Sequence, residues 1–328
     1  MTATAMPVNA TPATATLASP LPSGASASAS ALAATLASAL AAAPSATPGA
    51  LLPARANAPI GVFDSGVGGL SVLRHIHAQL PHEDVIYFAD SGFAPYGGKA
   101  EHVIAERSLK VAGFLIEQGA KAIVVACNTA TVAAIKLLRK HYPDMPIVGV
   151  EPGLKPAAAA SRNGKVGVLA TEVTLAGEKF LLLRDQITAS SQASFLLQGC
   201  PGLVDLIELG DLGAASIRSM LEGYVVPLLD QGADTLVLGC THYPFVQDVI
   251  KGVIAGATTR DIVLVDTGEA VARHLARLLD AAGLLHADQG VPARLDVFTS
   301  GSTTVLSAAF SSLLGIAIPA REALAGRI

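Results

Sequence analysis

Cys127 and Cys240 are the residues whose type and setting best suit proton transfer in this chain. Each closes an apolar run and precedes a helical pattern: AIVVACNT over 122–129 and TLVLGCTH over 235–242. A thiol at the start of a helix faces unpaired backbone N–H groups, which lower its pKa from the usual value of about 8.5. A reactive Cys127 is therefore expected. Asn128 and Thr129 can cap that helix or hold a carboxylate. On the other side Gly239 permits close approach, Thr241 repeats the hydroxyl, and His242 can tune or relay the thiol's proton. Either cysteine alone reads equally well as a small buried hydrophobe. The matching contexts of two out of only three cysteines argue for more. The third, Cys200, lacks a neighbouring hydroxyl and histidine and is expected to be non-catalytic.

Other candidates fall in loops after apolar runs. Asp64-Ser65-Gly66-Val67-Gly68-Gly69 follows an apolar run at 60–63 and precedes a helical pattern at 70–80. Its glycines allow close backbone approach, and the helix beyond offers N–H groups to an anion. No Gly-Lys-Ser/Thr follows, so it is not a nucleotide P-loop. Asp64 can cap the helix, or orient or take up a proton from a catalytic neighbour. Tyr96 and Gly97, in Pro95-Tyr96-Gly97-Gly98, add backbone donors and a phenol. Glu151, with Pro152 behind it, is either an acid of a first helical turn or a partner for His242 or a substrate ammonium.

Inverting an α-carbon needs a base on one face and an acid on the other, exchanging roles with direction. Two cysteines from opposed lobes satisfy that need without a cofactor. No lysine context suited to a Schiff-base cofactor stands out, and no cluster of metal ligands is visible. A hydrolase built on one Cys–His pair would leave the other thiol unused. A non-catalytic amino-acid-binding protein would use neither.

The elements that must position these residues read as α/β. Nearly continuous apolar runs at 60–63, 85–89, 122–126, 147–150, 166–170, 194–197, 235–238, 262–265 and 294–298 alternate with helical patterns such as 100–118, 129–141, 212–229 and 269–282. Apolar strands separated by helices indicate parallel sheets covered on both faces. The similarity of 122–137 to 235–250 points to two pseudo-symmetric, doubly wound lobes with the site in the cleft between them. Residues 1–57 are rich in Ala, Ser, Thr and Pro, carry no charge before Arg55, and are expected to be a disordered extension. They offer too little apolar surface for a membrane span and no basic region for a secretory signal.

Bulk properties narrow the class of partner. The chain has 328 residues, of which 51% are hydrophobic and 15% charged, so a large core is available. A formal net charge of −4, no Trp and 4% aromatics speak against nucleic acid as the principal partner. Working thiolates need a reducing compartment, which points to the cytoplasm.

Taken together and in order, DSGVGG at 64–69, PYG at 95–97, ACNTA at 126–130, VEPG at 150–153 and GCTHYP at 239–244 resemble bacterial glutamate racemase over roughly 59–313. The resemblance implies cofactor-independent, two-base interconversion of L- and D-glutamate, with D-glutamate supplied to peptidoglycan. It implies Cys127 and Cys240 as the acid/base residues, assisted by Asp64, Glu151 and His242. It places Asp64, Ser65, Tyr96, Gly97, Asn128, Thr129, Thr241 and His242 at the substrate. It implies a homodimer of two-lobed chains, the first lobe being 58–150 completed by 261–328 and the second 151–260. A related two-cysteine racemase acting on aspartate or another amino acid is the nearest alternative; Cys-Thr-His at 240–242 favours the glutamate enzymes.

Overall fold

A computed structural model of the chain describes residues 56–288 and 290–323. The extension expected over 1–57 lies outside them, apart from its last two residues. The first lobe begins with β1 (Ile60–Asp64), α1 (Leu70–Gln79), β2 (Val85–Ala89), α2 (Glu101–Glu117), β3 (Ala122–Val125), α3 (Asn128–His141) and β4 (Ile147–Gly149). The second lobe follows with α4 (Leu154–Ala160), β5 (Lys165–Ala170), α5 (Glu172–Ala176), α6 (Glu178–Ser190) and β6 (Ser194–Gly199). It continues through α7 (Leu203–Glu208), α8 (Ala215–Asp230), β7 (Thr235–Leu238), α9 (Gln247–Ala257) and β8 (Val263–Val265). The chain then adds α10 (Gly268–Ala281), β9 (Leu295–Thr299), α11 (Thr303–Ala309) and the short β10 (Arg321–Glu322) to the first lobe.

Both sheets are parallel throughout, in the orders β10-β9-β2-β1-β3-β4 and β6-β5-β7-β8. The second order repeats β2-β1-β3-β4 of the first, strand for strand, which is the duplication visible in the sequence. The strand expected at 262–265 pairs with β7, so the crossing back to the first lobe comes after residue 265 and not at 261. The physical reason is ordinary: a run of three apolar residues reads alike in either sheet, and only its neighbour decides.

Strands β1, β2 and β3 are buried along their whole length, as covered parallel strands must be. Alternation divides them between two cores: Ile60, Val62 and Val124 face one, while Phe63, Ile123 and Val125 face the other. Each such side chain contributes about 1.5–3 kcal/mol of burial free energy. The same period carries on past the strand end to aim Cys127 into the second of these cores. In the other lobe Leu236, Leu238 and Cys240 share one face of β7 and its extension.

Each lobe reverses its winding beside its first strand, between β1 and β3 and between β5 and β7. Crevices at the carboxyl ends of such strands are where open α/β sheets take ligands. Cys127 and Cys240 each stand just past their strand, with Ala126 between β3 and Cys127 and Gly239 between β7 and Cys240. Among the described residues, no helix is long and apolar enough to cross a membrane.

Candidate active site

The two strand ends meet at one cavity of about 200 Å³, lined by Ser65, Tyr96, Gly97, Cys127 and Thr129 from the first lobe and by Thr171, Glu208, Cys240, Thr241 and His242 from the second. That is room for a compound of amino-acid size, below the usual range for drug-sized ligands. Cys127 and Cys240 are both buried, at 5% and 7% exposure. They reach one space from opposite lobes.

Cys127 is the N-cap of α3, and its Sγ accepts the Ala130 N–H at 3.4 Å. Ser65 Oγ lies 3.6 Å from the same sulfur. The sequence leads one to expect a lowered thiol pKa here, and the structure reverses the sign. Burial is the largest influence and pushes Cys127 far up; Asp64 adds to it, and the Ala130 and Ser65 hydrogen bonds do not compensate. A helix N-terminus offers only partial charges, whereas full desolvation disfavours the whole thiolate. Asp64 is itself completely buried, and burial raises its pKa despite His242 and the Gly69 N–H. Gly69 donates to Asp64 Oδ2 at 2.6 Å, which ties the loop to the start of α1.

Around Cys240 the arrangement is different. His242 Nδ1 sits 3.7 Å from Cys240 Sγ, and His242 Nε2 lies 2.6 Å from Glu208 Oε1. Burial lowers the His242 pKa, but the hydrogen bonds with Cys240 and Glu208 outweigh it and leave the imidazole well above its usual value. Glu208 is held low in turn: burial raises it, but the hydrogen bond with His242 prevails. An imidazolium between the Glu208 carboxylate and the Cys240 sulfur is the result. The same Glu208 oxygen accepts the Val67 N–H at 2.8 Å, and Ser71 Oγ donates to the Thr241 carbonyl at 2.8 Å. These bonds cross from one lobe to the other beside the cysteine.

They also explain the glycines of the first loop. A Cβ at Gly66 would run into the Glu208 carboxylate, and one at Gly68 into the His242 ring. The sequence assigns this loop to an anion; in the structure its thinness is needed for the histidine–glutamate pair of the other lobe.

Most of the expected residues come together. Asn128 is buried with both amide atoms lacking a partner. Thr129 Oγ1 is 2.9 Å from Thr171 Oγ1 across the cleft. Tyr96 lines the cavity while its hydroxyl donates to Asp90 at 2.7 Å. Glu151 does not join them. It is exposed, pairs with Lys179 at 3.7 Å, and borders a separate cavity with Arg139, Lys155, His274 and Arg277. The partner expected of it for His242 is Glu208, at the end of α7, which sequence reasoning passed over. Cys200 also borders the cavity shared by Cys127 and Cys240, as a thiol that burial pushes up to about 12. Among the described residues, no three His, Cys, Asp or Glu side chains converge so as to hold a metal ion.

A two-lobed α/β protein with paired thiols at matching switch points defines a class, and comparison with known proteins identifies it. Residues 60–275 match the Asp/Glu/Hydantoin racemase family. The chain is 55% identical over 232 residues to glutamate racemase of Pseudomonas putida, covering 71% of this chain and 85% of that one. The structure of glutamate racemase from Francisella tularensis, in complex with D-glutamate, superimposes with a TM-score of 0.72 at 26% identity, covering 83% of this chain and 100% of that one. That of the Escherichia coli enzyme, in complex with L-glutamate and the activator UDP-MurNAc-ala, gives 0.69 at 32% identity, with 82% and 98% covered. The chain belongs to the glutamate racemases of the Asp/Glu/hydantoin racemase family.

Proposed function

We propose that the chain interconverts L- and D-glutamate without a cofactor, with Cys127 and Cys240 acting on opposite faces of the α-carbon. The observation that carries this is the pair of buried thiols reaching one cavity from the two switch points. Burial keeps Cys127 as a thiol, the acid of the resting pair. The His242 imidazolium beside Cys240 offers the positive charge that a thiolate base needs. In one turnover the Cα–H passes to one sulfur and the proton of the other sulfur passes to the opposite face. The protonation states of the two thiols are then exchanged. Asp64, Ser65, Tyr96, Gly97, Asn128, Thr129, Thr241 and His242 hold the substrate. Asn128 suits a carboxylate or ammonium, because both ends of its buried amide await partners. The dicarboxylate needs donors fixed in advance to carry the charge that develops at Cα, and a dry cavity strengthens them. D-glutamate made this way supplies peptidoglycan, and the working form is a homodimer; both points rest on the family resemblance, and the cytoplasm is the compartment that keeps working thiolates reduced.

The test is racemisation in D₂O from each pure enantiomer, with no pyridoxal phosphate or metal added. Deuterium is expected mainly in the inverted product. Unchanged optical rotation from both enantiomers sinks the reading.

A second site reading rests on the cavity that holds Glu151. It measures about 490 Å³, and Arg139, Lys155, Lys179 and Arg277 border it. Such a surface suits a phosphate-bearing effector, the kind of molecule represented by the activator in the E. coli complex. UDP-MurNAc-ala is expected to raise the wild-type rate, and the double variant Lys155→Ala/Arg277→Ala, at two exposed side chains, is expected to lose the response but keep the basal rate. A wild-type rate indifferent to the compound rejects this site.

A further inference from the structure

Directly after β2, and behind the cavity wall, Asp90 is fully buried with a saturated carboxylate. Arg107 of α2 donates to it twice, from Nε to Oδ2 at 2.8 Å and from Nη2 to Oδ1 at 2.6 Å. Tyr96 donates its hydroxyl to Oδ2 at 2.7 Å, and Ser300, just past β9, donates to Oδ1 at 2.6 Å. Four donors from three separate parts of the chain converge on two oxygens. An ion pair removed from water survives only when its lone pairs are met in this way, and losing one partner leaves an uncompensated charge. The neighbouring contacts tighten the same segment. Phe93 packs edge-on to Tyr96 at 5.9 Å, the Arg107 guanidinium lies 5.0 Å from the Phe93 ring centroid, and Ser300 Oγ also accepts the Gly92 N–H at 3.1 Å.

The consequence lies in the cavity. Tyr96 has one polar side-chain atom, and Asp90 holds it away from the substrate space. With that hydroxyl engaged by Asp90, Tyr96 is left its ring and backbone to offer the cavity, and Pro95, Tyr96, Gly97 and Gly98 all line its wall. Neither cysteine, nor His242, nor Glu208 touches this cluster by hydrogen bond.

We infer that Asp90, Arg107 and Ser300 are positioning residues that lock the Tyr96–Gly97 wall against the substrate, setting glutamate affinity and not proton transfer. This rests on the proposed racemisation of glutamate. A wall preset by a distant network spares the substrate the work of ordering it, so loosening it costs binding of both enantiomers alike.

The experiment is steady-state racemisation by Ser300→Ala, Ser300→Thr and Tyr96→Phe in both directions, with thermal unfolding alongside. One lost hydrogen bond to a charged acceptor corresponds to about a 10-fold change. Ser300→Ala and Tyr96→Phe are each expected to raise KM about 10-fold for L- and D-glutamate, with kcat within about 2-fold, and Ser300→Thr is expected to restore KM. Ser300 is chosen over Arg107 because its loss leaves the buried ion pair intact. A fall in kcat at constant KM, an unmoved KM in Ser300→Ala, or a KM in Ser300→Thr no better than in Ser300→Ala overturns the inference. Wild-type protein that racemises no glutamate overturns both this role and the proposed function; wild-type activity with an unmoved KM in Ser300→Ala overturns this role alone.

Discussion

Cys127→Ala and Cys240→Ala are each expected to remove racemisation almost completely, whereas Cys200→Ala keeps most of it. A single acid or base typically contributes 10²–10⁴-fold, so a loss of at least about 100-fold is expected in each of the first two. The two positions act in series on one proton exchange, so the double variant should be little worse than either single one. Direction adds a sharper signature. With one thiol gone, only one face of the α-carbon retains a proton carrier. Any residual exchange of deuterium from solvent should then be confined to one enantiomer in Cys127→Ala and to the other in Cys240→Ala. Chiral analysis combined with mass spectrometry of both enantiomers checks this. Cys200 separates the roles because it shares the cavity wall, the burial and the element type with the other two. It lies past β6, beside β5 but away from β7, and its sulfur donates to the Gln198 carbonyl at 3.5 Å. Equal losses in all three variants would show that any thiol lost from this cavity disables it through packing.

The parts of this site that were legible in the sequence are those carried by strand ends. A strand of period two that stops at a crevice fixes the direction of the next residues, so Cys127, Asn128, Cys240 and His242 could be placed from their neighbours alone. The direction of a pKa could not. At Cys127 the helix N-terminus is local and visible, but the desolvation that overrides it comes from Phe63, Ile86 and other core residues far along the chain. Glu208 was hidden for a related reason. It ends a six-residue helix of unremarkable composition, 34 residues from the histidine it serves. Only the bareness of Gly66 and Gly68 hinted that something bulky must press on that loop. Glu151 follows a strand, as the residues that line the two-cysteine cavity do. Yet β4 is an edge strand of its sheet, away from the switch point, and residues there face the seam on the other side. The assignment of β8 to a lobe and the existence of β10 depended on pairing partners that no local pattern records.

Replacing Glu208 by Gln tests whether the histidine works as a cation. Glu208→Gln keeps the shape and one acceptor for the Val67 N–H, but removes the negative charge that His242 faces at 2.6 Å. A charge-assisted hydrogen bond of this kind is worth about 1.5–3 kcal/mol, which corresponds to a loss of about 10- to 100-fold at neutral pH. The pH profile decides the mechanism of that loss. In the wild type the His242 pKa is raised above its unfolded value near about 6.5. Its proton therefore adds stability that is complete below that unfolded value and is lost as pH climbs through the folded one. Activity that depends on the imidazolium must fall along the same alkaline limb. Without the Glu208 charge the folded pKa drops, so both the rate and the extra stability should disappear at lower pH in Glu208→Gln. Glu151→Gln, whose carboxylate faces Lys179 in the other cavity, should leave the limb where it is. A uniform drop in rate with an unmoved limb would mean that Glu208 only braces the two lobes through Val67. A limb displaced toward acid would show the carboxylate holding the proton on His242, and through it the charge beside Cys240.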